Sequence, residues 1–192
     1  MEMPLSKQGK MNKHILICGE KGVGKSTLIQ RLLDEACLTV GGFCTKMDEN
    51  TGEVMHPIYI YPAAVPVDRR ERSKANLVGR CGNFGRQKEI FPEVFDTLGT
   101  AYLRDTRACQ VVLMDELGFM ESNAHAFRRA VLETLDGEVP VLAAVKDRRD
   151  VEFLRQVCDH PRARCSTSTW LTGRSCFAHS CLWSKAGKGS IQ

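Results

Sequence analysis

Gly19-Glu20-Lys21-Gly22-Val23-Gly24-Lys25-Ser26 lies directly behind the apolar run His14-Ile15-Leu16-Ile17-Cys18, and ahead of a stretch in which Leu28, Ile29, Leu32, Leu33 and Ala36 recur at three- and four-residue spacing. The short β-branched run reads as a buried parallel strand. The spacing behind it predicts a helix from Lys25 to about Cys37. Strand, glycine-rich turn and helix in that order carry the G-x-x-x-x-G-K-[ST] spacing of a phosphate-binding loop, the P-loop. Gly19, Gly22 and Gly24 let the backbone turn tightly and offer bare N–H groups to an anion, with Glu20, Lys21 and Val23 completing the loop. The helix starting at Lys25 points the positive end of its dipole at the same place. Lys25 is expected to reach the β- and γ-phosphates, Ser26 to offer its hydroxyl to Mg²⁺, and Thr27 to cap the helix or touch the α-phosphate.

A triphosphate site needs a second element for its divalent ion. Val111-Val112-Leu113-Met114 is fully apolar and ends at Asp115-Glu116, which places Asp115 at the carboxyl end of a buried strand. Ligands bind at that edge in open α/β sheets. Asp115 is expected to hold Mg²⁺ through a bound water, with Ser26 as the other metal residue. Glu116 can orient and polarise the water that attacks the γ-phosphorus, which makes Lys25 and Glu116 the catalytic candidates.

The rest of the chain supplies a scaffold of one type. Residues 39–47 and 54–61 flank Asp48-Glu49-Asn50-Thr51-Gly52-Glu53 and read as a hairpin. A short strand is expected near Ala75 to Val78, a helix from Pro92 to Arg104, a helix from about Ala124 to Leu135, a strand from Val139 to Val145 and a helix from Arg149 to Val157. Alternating β and α elements with buried apolar strands imply a three-layer α/β fold of P-loop type. Its sheet is mainly parallel and helix-covered, with a β-hairpin insertion. One domain over residues 11–183 is expected, with residues 1–10 and 184–192 as disordered ends. No regular period is assignable between Trp170 and Trp183.

Composition narrows the partners. The 27 basic and 23 acidic residues give a net charge of +4 with no dominant basic stripe, which suits an anionic ligand such as a nucleotide and is too weak to argue for nucleic acid, so none is expected. No apolar run approaches the ~18 residues of a membrane span, so a cytoplasmic chain is expected. The nine cysteines are scattered and odd in number, the pattern of free thiols in a reducing compartment. The group Cys158, His160, Cys165, Cys176, His179 and Cys181 lacks the paired spacing of a zinc site and reads as unrelated thiols.

Other cations are candidates for lesser roles. Arg128 or Arg129 could act as an arginine finger, Arg69, Arg70 and Arg72 could close over the phosphates, and Lys146 could line a base pocket. Ala144-Val145-Lys146-Asp147 is not the Asn-Lys-x-Asp guanine reader, so low base selectivity is expected.

With these residues in place, the chain resembles the P-loop nucleoside-triphosphatase family that includes thermophilic enzymes and the human cancer-related nucleoside-triphosphatase. The likeness runs from about residue 13 to 169. It is carried by the loop through Thr27, by Gly42-Phe43-Cys44-Thr45, by Phe95-Asp96 ahead of Leu103-Arg104, and above all by Asp115-Glu116-Leu117-Gly118-Phe119-Met120-Glu121. The resemblance implies slow, Mg²⁺-dependent hydrolysis of several ribo- and deoxyribonucleoside triphosphates. It carries phosphate binding to Gly22, Gly24, Lys25, Ser26 and Thr27, and the metal and water roles to Asp115 and Glu116. Two departures stand out. Many members have Lys at the place of Phe119, and an Asn-Arg pair after a C-terminal Thr is absent from Thr169-Trp170-Leu171-Thr172-Gly173-Arg174. Besides hydrolysis, the same scaffold admits a nucleotide or small-molecule kinase and a nucleotide-dependent switch whose turnover is incidental.

Overall fold

The structure is a computed structural model that describes residues 13–49, 54–82, 88–106 and 108–167. The elements are β1 (His14–Gly19), α1 (Lys25–Ala36), β2 (Val40–Met47), β3 (Met55–Pro62), β4 (Leu77–Gly82), β5 (Lys88–Ile90), α2 (Pro92–Val94), a π-helical turn Phe95–Gly99, α3 (Thr100–Arg104), β6 (Val111–Leu117), α4 (His125–Asp136), β7 (Val141–Lys146), α5 (Glu152–Cys158) and β8 (Ala163–Thr167).

All the described strands join one sheet in the order β5-β4-β3-β2-β6-β7-β1-β8. The neighbours from β2 through β6, β7 and β1 to β8 run parallel, whereas β3, β4 and β5 extend the sheet antiparallel beyond β2. The hairpin expected around Asn50 is therefore the first step of a longer meander, and its turn residues 50–53 lie outside the described residues. The strand expected near Ala75 starts at Leu77, after a 3₁₀ turn, and β5 and β8 had no counterpart in the sequence reading.

Period-2 alternation sends the parallel strands' side chains to two faces. Ile17, Val111, Leu113, Leu142 and Ala144 pack against Ile29 of α1 on one face. Leu16, Phe43, Val112, Met114 and Ala143 join Phe127, Val131, Leu135 and Leu154 of α4 and α5 on the other. Phe127 packs edge-to-face with Phe43 and at a tilt against Phe95, with ring centroids 5.2 and 5.3 Å away. Asp96 accepts a hydrogen bond from the Phe127 N–H at 2.9 Å, satisfying a donor in the first turn of α4 that its own helix leaves open. That contact gives Phe95-Asp96 a structural reason.

His14 is fully buried at the start of β1. Its Nδ1 accepts from the Val141 N–H at 3.1 Å, so the proton sits on Nε2, which donates to the Leu135 carbonyl at 2.8 Å. Burial lowers its pKa from the usual 6.5 to about 4. Between those values the unfolded chain binds a proton that the folded one refuses. The stability that the neutral His14 contributes is therefore complete above pH 6.5 and is reduced by about 3 kcal/mol by pH 4. Urea midpoints measured from pH 7 to pH 4 are expected to fall more steeply in the parent than in His14→Gln by this amount, since groups common to both, such as the buried Glu121, cancel in the difference. An equally steep fall in the variant would place the acid sensitivity elsewhere.

One expectation is corrected. Cys18 and Cys165 form a disulfide rather than standing as unrelated free thiols. Parallel pairing sets Leu16 opposite Cys165, so Cys18, two residues along the same face, meets it across the strand gap. Cys158 of α5 stands 3.7 Å from the Cys18 sulfur and 3.9 Å from that of Cys165. Cys37, Cys44, Cys81, Cys109 and Cys158 are free. Cys176, His179 and Cys181 lie outside the described residues.

Candidate active site

The loop after β1 has the backbone that its glycines allow. Gly22 and Gly24 take φ of +84° and +90°, a region that side-chain-bearing residues rarely enter, and Gly24 is the N-cap of α1. Glu20 to Gly24 are exposed, which leaves the loop open to a ligand. Lys25 is the opposite, only 3% exposed. Its ammonium folds back under the turn and donates to the carbonyls of Gly19 and Glu20, each at 2.8 Å.

Strand β7 lies between β1 and β6, so the carboxylates reach the loop across an intervening strand. In the pairing of β6 with β7, Asp115 stands opposite Ala144 and Leu117 opposite Val145, which makes Glu116 the extra residue of a bulge. Regular alternation would send Asp115 and Glu116 to opposite faces. The bulge re-aims them, a common device beside functional sites. Asp115, 4% exposed, accepts from the Ser26 hydroxyl at 2.7 Å. The Glu116 carboxylate stands 3.6 Å from the Lys25 ammonium. The structure thus brings Lys25, Ser26, Asp115 and Glu116 together at one sheet edge.

Several partners were not legible in the sequence. Lys46 of β2 reaches Asp115 at 3.3 Å, and Lys146 at the end of β7 lies 3.6 Å from Glu116. The Thr45 hydroxyl accepts from the Glu116 N–H at 3.3 Å and lies 3.4 Å from the Asp115 carbonyl, fixing the backbone that carries both carboxylates. Gly42, at φ +89°, lets β2 come this close, because a Cβ there would meet the Leu113 carbonyl at 2.1 Å. Together these contacts account for Gly42-Phe43-Cys44-Thr45. The signal was present as a motif, but its purpose shows only once β2 is paired with β6.

Past β6, Gly118 donates its N–H to Glu121 at 2.9 Å. Burial raises the Glu121 carboxyl to about 7. Phe119 carries no charge of its own, yet the Lys88 and Lys146 ammonium groups lie 3.8 and 5.1 Å from its ring centroid. Cationic charge therefore stands at this corner on other elements. A cavity of about 600 Å³ opens beside it, lined by Lys21, His56, Lys88, Phe119, Lys146 and Arg148 among others. A second, of about 500 Å³, lies along Ser26, Thr27, Lys46, Arg70 and Asp115.

The arginine candidates separate. Arg70 lines that second cavity, with its guanidinium 5.5 Å from the Tyr61 ring centroid. Arg72 pairs with Asp48 at 2.6 Å. Arg128 donates to the Ser122 carbonyl at 3.0 Å and lies 5.3 Å from the Phe153 ring centroid. Thr169 to Arg174 lie outside the described residues.

The sequence pattern of the NTPase family matches residues 14–169. The chain belongs to this NTPase family. Among relatives in it, nucleoside-triphosphatase THEP1 of Thermofilum pendens is 30% identical over 140 residues, covering 71% of this chain and 75% of the relative. The protein of the same name from Methanocaldococcus jannaschii is 30% identical over 139 residues, covering 68% and 76%. Two solved structures share the fold. THEP1 from Aquifex aeolicus superposes with a TM-score of 0.58 at 21% identity, covering 80% of this chain and 88% of its own. The human cancer-related nucleoside triphosphatase gives 0.62 at 19% identity, covering 90% and 98%. The expected three-layer fold of this NTPase family is the fold observed.

Proposed function

We propose that this NTPase hydrolyses nucleoside triphosphates to diphosphate and phosphate, with Mg²⁺ and with little regard to the base. One observation carries the reading. A buried lysine and a helix-start serine of the loop stand 3.6 and 2.7 Å from two consecutive carboxylates that a bulge turns to the same edge.

The roles follow from this geometry. The backbone amides from Gly19 to Thr27, those of the exposed Glu20, Lys21, Gly22, Val23 and Gly24 among them, cradle phosphate oxygens. Lys25 exchanges its carbonyl partners for β- and γ-phosphate oxygens, where its charge meets the charge that develops as the γ-phosphoryl departs. Ser26 and Asp115 present a hydroxyl and a carboxylate oxygen side by side, the hard donor set that suits Mg²⁺. These two residues would hold the ion, which would supply charge neutralisation to the phosphates. Glu116 takes the proton of the attacking water, which becomes the new oxygen of the released phosphate.

Low base selectivity rests on Ala144-Val145-Lys146-Asp147, which offers no amide and carboxylate pair for guanine. Among the described residues no helix is long and apolar enough to cross a membrane. A second reading has one observation in its favour. The cavity of about 600 Å³ at Lys146 and Phe119, lined by both cations and carboxylates, could seat an acceptor for the γ-phosphoryl in place of water. A phosphate-release screen over ATP, GTP, CTP, UTP and their deoxy forms, with and without Mg²⁺, decides between them. Free phosphate from several nucleotides, lost on chelation, is the expected result. Stoichiometric transfer to an added nucleoside, with no free phosphate, would establish the kinase.

A further inference from the structure

Glu116 is held between two cations, one of which the substrate must take away. Lys25 lies 3.6 Å from its Oε2 and Lys146 lies 3.6 Å from its Oε1. Both distances are those of ion pairs rather than hydrogen bonds, and Oε1 is buried with no hydrogen-bond partner. Once a triphosphate fills the loop, Lys25 turns to phosphate oxygens, and the carboxylate faces a polyanion that repels it. We infer that Lys146 is the positioning residue that then keeps Glu116 aimed at the attacking water.

The placement of Lys146 supports this. It ends β7, the strand between the loop strand and the carboxylate strand, and it stands opposite Gly19 in the ladder with β1. Its position is therefore set by the same backbone that sets the loop. Its stem runs along Gly118, where an added Cβ would come within 3.2 Å of Cδ and 3.4 Å of Nζ. The Phe119 ring bounds it on another side, with the ammonium 5.1 Å from the centroid. A long flexible side chain is thereby confined by a strand end, a bare α-carbon and an aromatic ring, with its charge at the one oxygen of Glu116 that nothing else satisfies. Lys46 does not duplicate this role, since its ammonium goes to Asp115.

The inference rests on Glu116 as the water-activating residue, so its test includes that residue. Phosphate release and equilibrium binding of a fluorescent ATP analogue are to be measured for Lys146→Met, Lys146→Arg, Glu116→Gln and the Glu116→Gln/Lys146→Met double variant. The expected result is a kcat lowered at least about tenfold in Lys146→Met, with analogue affinity within about threefold of the parent. Lys146→Arg should restore most of the rate, and Lys146→Met should add nothing in the Glu116→Gln background. Normal kcat in Lys146→Met, or the same loss in both backgrounds, would overturn the role of Lys146. Weakened binding at unchanged kcat would do so too, and would make Lys146 a substrate contact. Near-normal turnover in Glu116→Gln would instead remove the reading of Glu116 itself.

Discussion

Lys25→Ala is expected to abolish phosphate release and to weaken triphosphate binding by about a hundredfold, the scale of losing charge-assisted hydrogen bonds to two phosphate groups. The ammonium is almost wholly enclosed and is held against the carbonyls of Gly19 and Glu20. Truncation therefore removes the loop's only buried positive charge among the described residues, together with the donor it supplies to those two carbonyls. It also leaves Glu116 with Lys146 alone. Lys25→Arg should not rescue the rate, because a planar guanidinium cannot enter a space shaped around a compact ammonium. Phosphate release and analogue titration read out both effects. A variant that turns over like the parent would show that the loop lysine plays no part in the reaction.

Glu116→Gln is expected to behave differently, with nucleotide binding retained and kcat reduced by about 10²- to 10⁴-fold, the range of general-base contributions. The substitution preserves size and removes the charge. What it removes is an ion pair at each oxygen, with Lys25 and with Lys146, while the buried Oε1 has no hydrogen bond to lose. Rapid-quench measurement of the first turnover separates this loss from slow product release. If the first turnover stayed fast and only later cycles slowed, Glu116 would act after bond cleavage and not as the base.

The loop, its flanking strand and helix and the carboxylate pair could be read from the residues, because each is local. Three glycines at fixed spacing and an acid at the end of an apolar run need no tertiary context. The partners that complete the site could not be read that way. Thr45, Lys46 and Lys146 stand on β2 and β7, and their relation to Asp115 and Glu116 exists only after the strand order places β2 and β7 on either side of β6. The bulge at Glu116 was likewise hidden, since nothing in Met114-Asp115-Glu116-Leu117 marks an extra residue. Short elements at the sheet margins also escaped. Lys88-Glu89-Ile90 and Ala163-Arg164-Cys165-Ser166-Thr167 are too brief or too polar to show a period, and pairing with a neighbour makes them strands. The cysteine expectation failed for a related reason. Cys18 and Cys165 are 147 residues apart in sequence, a distance over which composition says nothing about proximity.

The interposed strand makes the chemistry sensitive to alignment at a distance. The groups proposed to grip the nucleotide and those proposed to break it ride on strands that are not neighbours in the sheet, with β7 as spacer and gauge between them. A substitution at the middle of that spacer, such as one that swells Ala143 or Ala144, could leave grip intact while moving the blade out of line, separating affinity from speed without altering any group in the cleft.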